Sequence, residues 1–160
     1  MAQAYQWRRQ YIELVEDLFR ELGFVPPAMT HDPDLPLAME LEVNELTFEI
    51  VHTPTAQPHQ VLVECRFGTV PEPQAEEAYI HLLRHNLDQA RHFHPAYGIE
   101  AQGNNVICAF HESLEQASAR GLLDSMGKVA EQGKHWRNNY RLEASPELHQ
   151  GGAKLFETLA

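Results

Sequence analysis

Cysteine is scarce in this sequence. The 160 residues contain only two cysteines, too few for the disulfide framework of a small secreted domain. Cys65 and Cys108 both lie in apolar, strand-like runs, and neither belongs to a CxxC pair. We therefore expect two reduced thiols in the core of a single domain, which at this length needs neither disulfides nor metal to fold.

Positive charge is also in short supply. Lysine and arginine number 12 against 23 aspartates and glutamates, which gives a formal net charge of −11 with neutral histidines. A protein that binds a phosphate backbone needs clustered Lys and Arg to displace counterions. The composition therefore argues against nucleic acid as a partner.

Long hydrophobic runs are missing as well. No stretch approaches the roughly 20 apolar residues that span a bilayer. Residues 1–10 are polar and aromatic rather than basic and then apolar, so they do not resemble a signal peptide. We expect a cytoplasmic protein without membrane insertion.

The familiar catalytic motifs are absent. The sequence contains no GxSxG, GxxxxGK[ST], GxGxxG or HExxH. Histidine spacing still leaves one metal hypothesis open, because His81 and His85 lie four residues apart, with His92 and His94 just beyond. The favoured interpretation is that His81 and His85 are exposed or lie at a dimer interface. We expect no enzyme, metal or cofactor, and a histidine-dependent metalloenzyme is the alternative from a different class.

Hydrophobic periodicity predicts a helix over residues 4–22, ended by Gly23. Residues 24–36 carry four prolines, which prevent helix and disfavour a central strand, so an extended surface connection should follow. Alternating apolar residues then predict three strands, over 35–43, 46–50 and 61–67. Short loops between them indicate an antiparallel meander.

Pro71 and Pro73 signal the start of a second helix, which should end near Pro95. Residues 97–102 and 106–111 flank a Gly-Asn-Asn turn and predict a β-hairpin. A third helix is expected over 117–140, where Gly133 on the apolar face would allow close approach to the sheet. The fold class is thus α+β: helix, three-strand antiparallel meander, helix, β-hairpin, helix. One domain should cover 1–141, followed by a flexible tail over 142–160.

Several segments together resemble the Tir chaperone (CesT-like) family of type III secretion chaperones over residues 5–140. They are the first helix ending in Leu22-Gly23, the run Leu82-Leu83-Arg84-His85-Asn86-Leu87, the hairpin with Gly98 and Gly103 around Ile99 and Val106, and the last helix ending in Ala130 to His135, Trp136 and Arg137. The resemblance implies a homodimeric chaperone that holds the N-terminal segment of a secreted effector protein in extended, non-globular form, with no cofactor. The secretion ATPase is a further partner that the resemblance suggests.

The resemblance places the dimer interface on the second helix. The apolar stripe that would form it comprises Tyr79, Leu82, Leu83, Asn86, Leu87 and Ala90. Asn86 is the polar member of this stripe, where it could fix register or lie at the exposed margin.

An effector segment is expected on the first helix and the first strand. The first strand should be a sheet edge, because the Pro-rich connection gives it no neighbour, and an extended chain can add to such an edge. The first helix is apolar on more than one side, so part of it should face away from the sheet. The predicted effector-binding residues are Ile12, Val15, Phe19, Leu35, Leu37 and Met39. The alternative within the same fold is a regulatory or adaptor protein that binds a folded partner.

Overall fold

The computed structural model describes residues 2–89 and 95–143, and it confirms the predicted order of elements. They are α1 (Ala2–Glu21), β1 (Leu37–Val43), β2 (Leu46–His52), β3 (Gln60–Gly68), α2 (Glu72–Gln89), β4 (Ala96–Ile99), β5 (Val106–Ser113) and α3 (Ala119–Asn139). Within these described ranges, no helix is both long enough and apolar enough to cross a membrane.

The five strands form one antiparallel sheet in the order β1-β2-β3-β5-β4. Two tight turns have the positive φ that their residues tolerate: Asn44 and Glu45 at 50° and 68°, and Gly103 and Asn104 at 91° and 55°. The predicted hairpin between β4 and β5 is confirmed, but β4 ends at Ile99, so the connection covers residues 100–105 instead of the Gly-Asn-Asn turn alone. Strands β1 and β4 are the two edges of the sheet.

One face of the sheet is the floor of the core. Alternate residues of β2 and β3, such as Phe48 and Val63, are buried, while their neighbours along the strand are only half-buried. Helix α3 packs on β1, β2 and β3, and α1 packs against α3. Gly133 is the point of closest approach, since a Cβ atom there would lie 2.7 Å from Leu46 Cδ1 and 2.9 Å from the Phe67 ring. The expected role of this glycine is confirmed.

The Pro-rich connection runs back along α1. At the start of the connection, Phe24 N donates a hydrogen bond to Phe19 O (2.8 Å), and at its far end the Arg8 guanidinium donates one to Leu35 O. Ile12 and Val15 lie on the helix between Arg8 and Phe19, and both are buried in the core. The expectation that they face away from the core is wrong, because α1 has buried residues on more than one side.

The C-terminal boundary also differs from the prediction. Leu142 is buried in the core, and Arg141 forms an ion pair with Glu77 of α2. The expected tail of 142–160 therefore does not begin at Leu142. Residues 144–160 lie outside the described residues.

Candidate protein-binding surfaces

Strand β1 presents one candidate surface along its outer edge. It pairs with β2 from Leu37 opposite His52 to Val43 opposite Leu46, and with no other described strand. In such a pair, the N–H and C=O groups of alternate β1 residues bond to β2, and those of the residues between them point away from the sheet. Leu37 and Met39 are half-buried on the core-facing side, at the margin of the core. The edge can therefore supply both hydrogen bonds and apolar contacts to an added strand.

The connection carries exposed apolar residues at both of its ends. Leu35, two residues before β1, is 51% exposed, and Phe24 and Val25, just after α1, are 63% and 89% exposed. Phe19, at the end of α1 near Phe24, is half-buried. Sequence reasoning missed Phe24 and Val25, since a Pro-rich segment gives no periodicity that separates its inward from its outward residues.

Arg8 is an unusual buried group beside this surface. Its guanidinium is almost fully enclosed and donates to Leu35 O, while its Nε and Nη1 atoms have no hydrogen-bond partner among the described residues. Burial lowers the pKa of Arg8 from its ordinary value. The arrangement fixes the start of β1 to α1, at the cost of desolvating a charge.

Helix α2 presents the second candidate surface. Leu83 and Leu87 are 69% and 74% exposed, and Ile80 continues the same side of the helix. Leu82, in contrast, is buried within its own chain and Tyr79 is half-buried, so the predicted stripe is split between core and surface. The expectation that Leu82 is available to a second subunit is wrong. Ala90 lies outside the described residues.

Asn86 has a role within its own chain. Its Nδ2 donates to Tyr97 O (2.6 Å), and its Oδ1 accepts from Tyr97 N (2.8 Å). These two bonds hold edge strand β4 to α2, and Asn86 is half-buried rather than fully exposed at the margin of the stripe. His85 is also buried, with its ring 5.4 Å from that of Tyr97 in a T-shaped contact. The expectation that His85 is exposed is therefore wrong.

His81 contacts the end of the described chain. Its Nε2 lies 3.1 Å from Leu142 N and 3.2 Å from Leu142 O. The His81 and His85 rings are 6.4 Å apart, and no group of three or more His, Cys, Asp or Glu side chains in the described ranges could hold a metal ion. His92 and His94, the other members of the metal hypothesis, lie outside the described residues.

The two cysteines lie directly opposite each other. Cys65 on β3 pairs with Cys108 on β5, and both thiols are free and fully buried. Burial raises the pKa of each thiol to about 12. Since the thiolate is the reactive form, these groups are core residues rather than nucleophiles, which confirms their expected place in the core.

The fold is shared with solved structures that include a chaperone-effector complex and a type III secretion chaperone. The crystal structure of the ExsC-ExsE complex aligns with a TM-score of 0.64 at 12% identity, over 85% of this chain and 97% of that one. The HopA1-SchA chaperone-effector complex gives 0.60 at 17%, over 82% and 95%. The Yersinia pestis type III secretion chaperone SycH, in complex with a fragment of YscM2, gives 0.59 at 12%, over 78% and 98%.

These identities are low enough that the structural likeness establishes the fold alone. No curated protein sequence matches this chain. The model of one protein family, however, matches residues 13–137, well over half of the sequence. The chain therefore belongs to the Tir chaperone protein (CesT) family.

Proposed function

We propose that this protein is a dimeric cytoplasmic type III secretion chaperone, which binds the N-terminal region of a secreted effector and keeps it extended and non-globular. Family membership supports a chaperone that binds an effector. The structures that share its fold include a chaperone-effector complex and a type III secretion chaperone with a fragment of its partner. The role is one of binding, and it requires no catalytic group.

The observation that carries the proposal is the open edge of β1 beside exposed apolar side chains. An extended chain paired with β1 would gain main-chain hydrogen bonds along residues Leu37–Val43. Its alternate side chains would meet Leu37 and Met39, and a continuation of the segment would reach Leu35. Such contacts require the effector segment to be unfolded, which is what distinguishes a secretion chaperone from an adaptor.

The effector-binding residues change accordingly. Leu35, Leu37, Met39 and Phe19 remain, because each keeps part of its apolar surface outside the core. Phe24 and Val25 extend this set along the connection. Ile12 and Val15 are excluded, since both are buried in the core of the single chain.

Dimerisation through α2 follows from its exposed side. Ile80, Leu83 and Leu87 form an apolar stripe that no described residue covers, and Ile99 on the neighbouring edge strand β4 adds a further exposed apolar side chain. A large apolar patch on a soluble protein marks an interface.

The proposed domain boundary changes as well. The domain is a single unit that includes the buried Leu142, with residues 144–160 as its tail.

Capture of a co-expressed effector tests the proposal. Candidate clients are the proteins encoded beside this gene, and a captured client should yield a long N-terminal segment resistant to protease only in the presence of the chaperone. The two-residue turn closed by Val43 and Leu46 directs the N–H of Ala38 away from β2. Ala38→Pro removes this outward donor and places its ring in the path of an added strand, so it should abolish capture while the fold survives. Protection confined to a folded domain of the partner would instead identify an adaptor.

A further inference from the structure

Glutamates lie in register on the face of the sheet opposite the helices. Glu40 on β1 is directly opposite Glu49 on β2, which is directly opposite Glu64 on β3. Like charges directly opposite each other destabilise a sheet. The row therefore lowers the stability of the free protein, and a cation bound over it would relieve that cost.

A single guanidinium neutralises part of this row. Arg66 lies 3.2 Å from Glu40 and 3.7 Å from Glu49 through its Nη atoms, and its Nε lies 3.8 Å from Glu100. Glu64 forms no ion pair with any residue in the described ranges. Four carboxylates share one cation, which leaves three negative charges in excess on a face that no described helix covers.

The same face has a shallow floor of small residues. The glutamate row continues onto Ala109 of β5 and Ala96 of β4, and the neighbouring row places Ile107 opposite Gly98. The small residues Ala96, Gly98 and Ala109 leave a groove of about 380 Å³, whose charged lining residues are Glu49, Glu64, Glu100 and the single cation Arg66. The groove therefore offers an apolar floor next to an acidic rim.

The spacing of the row selects the shape of a partner. Neighbouring strands lie about 4.8 Å apart, close to the rise of about 5.4 Å per turn of an α-helix. Side chains on one side of an extended chain repeat at about 6.7 Å, a poorer match. A helix that crosses the strands could place one cation per turn over Glu40, Glu49 and Glu64.

We infer that this face binds a cationic amphipathic helix of the effector, with lysine or arginine over the glutamate row and small apolar residues over Ala109 and Ala96. The source of the helix rests on the proposed chaperone function, whereas its chemistry follows from the face itself. A second copy of this chain is unsuited, because it would bring the same acidic row to an acidic surface. The face is distinct from both the β1 edge and the α2 stripe.

Binding of a synthetic peptide tests the inference. The probe is an alanine-based helix of about three turns with one lysine per turn on one side, and its Kd is measured at about 50 and about 200 mM salt. We expect binding that weakens with salt, and Glu49→Gln/Glu64→Gln should raise Kd by about tenfold or more. The matched control, Glu13→Gln/Glu21→Gln, removes the same charge from α1 and should change Kd by less than about twofold.

The possible outcomes separate this inference from the proposed function. Equal weakening by the two double variants would overturn the inference, since attraction would then depend on the total charge of −11. An unchanged Kd in Glu49→Gln/Glu64→Gln would overturn it as well. Absence of peptide binding by a chaperone that captures its effector would overturn it too, and would leave the proposed function intact. Peptide binding that persists in Ala38→Pro, whose effector capture is lost, would support the face as an independent site.

Discussion

The guanidinium of Arg8 donates a hydrogen bond to the main-chain carbonyl oxygen of Leu35, 27 residues further along the chain. This contact ties Leu35, two residues before edge strand β1, to the first half of α1. The connection is thus anchored at both ends to the helix whose Ile12 and Val15 are buried in the core. The surface left for a partner is the outer side of the connection and the β1 edge.

Truncation on α1 tests this division between core and surface. Ile12→Ala removes a fully buried side chain and should lower the free energy of unfolding by about 2–5 kcal/mol. Tyr5→Ala, at an exposed position of the same helix, should change it by less than about 0.5 kcal/mol. Urea unfolding measures both. If Ile12→Ala is as stable as the wild-type protein but no longer captures the effector, Ile12 belongs to the binding surface and not to the core.

The sequence predicted the helices, strands and hairpin because their apolar residues repeat with a clear period. It could not predict which sides of α1 are covered, since that depends on the path of a Pro-rich connection with no period. Asn86 shows the same limit: its position in an apolar stripe is visible in the sequence, but its partner, the main chain of Tyr97, is set by the packing of β4 on α2. The glutamate row emerges only from the register of β1, β2 and β3.

Gly133 offers a test of the contact between α3 and the sheet. Gly133→Ala would place a methyl group 2.7 Å from Leu46 Cδ1, and the resulting overpacking should cost about 1–3 kcal/mol. Thermal unfolding should shift down by about 2–4 °C for each kcal/mol. Gly127→Ala on the same helix meets only Asn44 Nδ2 at 4.0 Å, and higher helix propensity should raise the stability by up to about 1 kcal/mol. Equal effects of the two variants would show that α3 does not lie this close to the sheet.

Charge in the exposed stripe of α2 tests the proposed dimer. Leu83→Asp/Leu87→Asp would bury two carboxylates in the interface and should convert the dimer to a monomer, because the cost of desolvating charge amounts to several kcal/mol. Both side chains are exposed in the single chain, so its secondary structure should survive. Light scattering gives the mass, and Glu13→Lys on α1 serves as the control for surface charge. If the double variant is folded and still dimeric, the dimer interface does not include Leu83 and Leu87.

His52 should make the stability pH-dependent. Its buried ring stacks on Tyr11 at 5.2 Å, and its Nε2 donates to Pro58 O. Burial lowers the pKa of His52 from its ordinary value of 6.5. The unfolded chain therefore takes up the proton first, so the contribution of His52 is complete above pH 6.5 and is lost as the pH falls through the lower folded value.

Comparison with His52→Gln isolates this effect, since glutamine retains a donor for Pro58 O but does not titrate. Urea unfolding as a function of pH should show a steeper loss of stability below pH 6.5 in the wild-type protein, by at most one proton per molecule. Parallel curves for the two proteins would mean that His52 is protonated equally in both states.

Amide hydrogen exchange of the chaperone with its captured effector tests the central claim most directly. On complex formation, exchange should slow at the outward main-chain amides of β1, those of Ala38, Glu40 and Glu42, and over one continuous N-terminal segment of the effector. Ala38→Pro should remove both effects while the amides of α3 keep their protection. Protection restricted to a folded effector domain, with the β1 amides unchanged, would contradict the account.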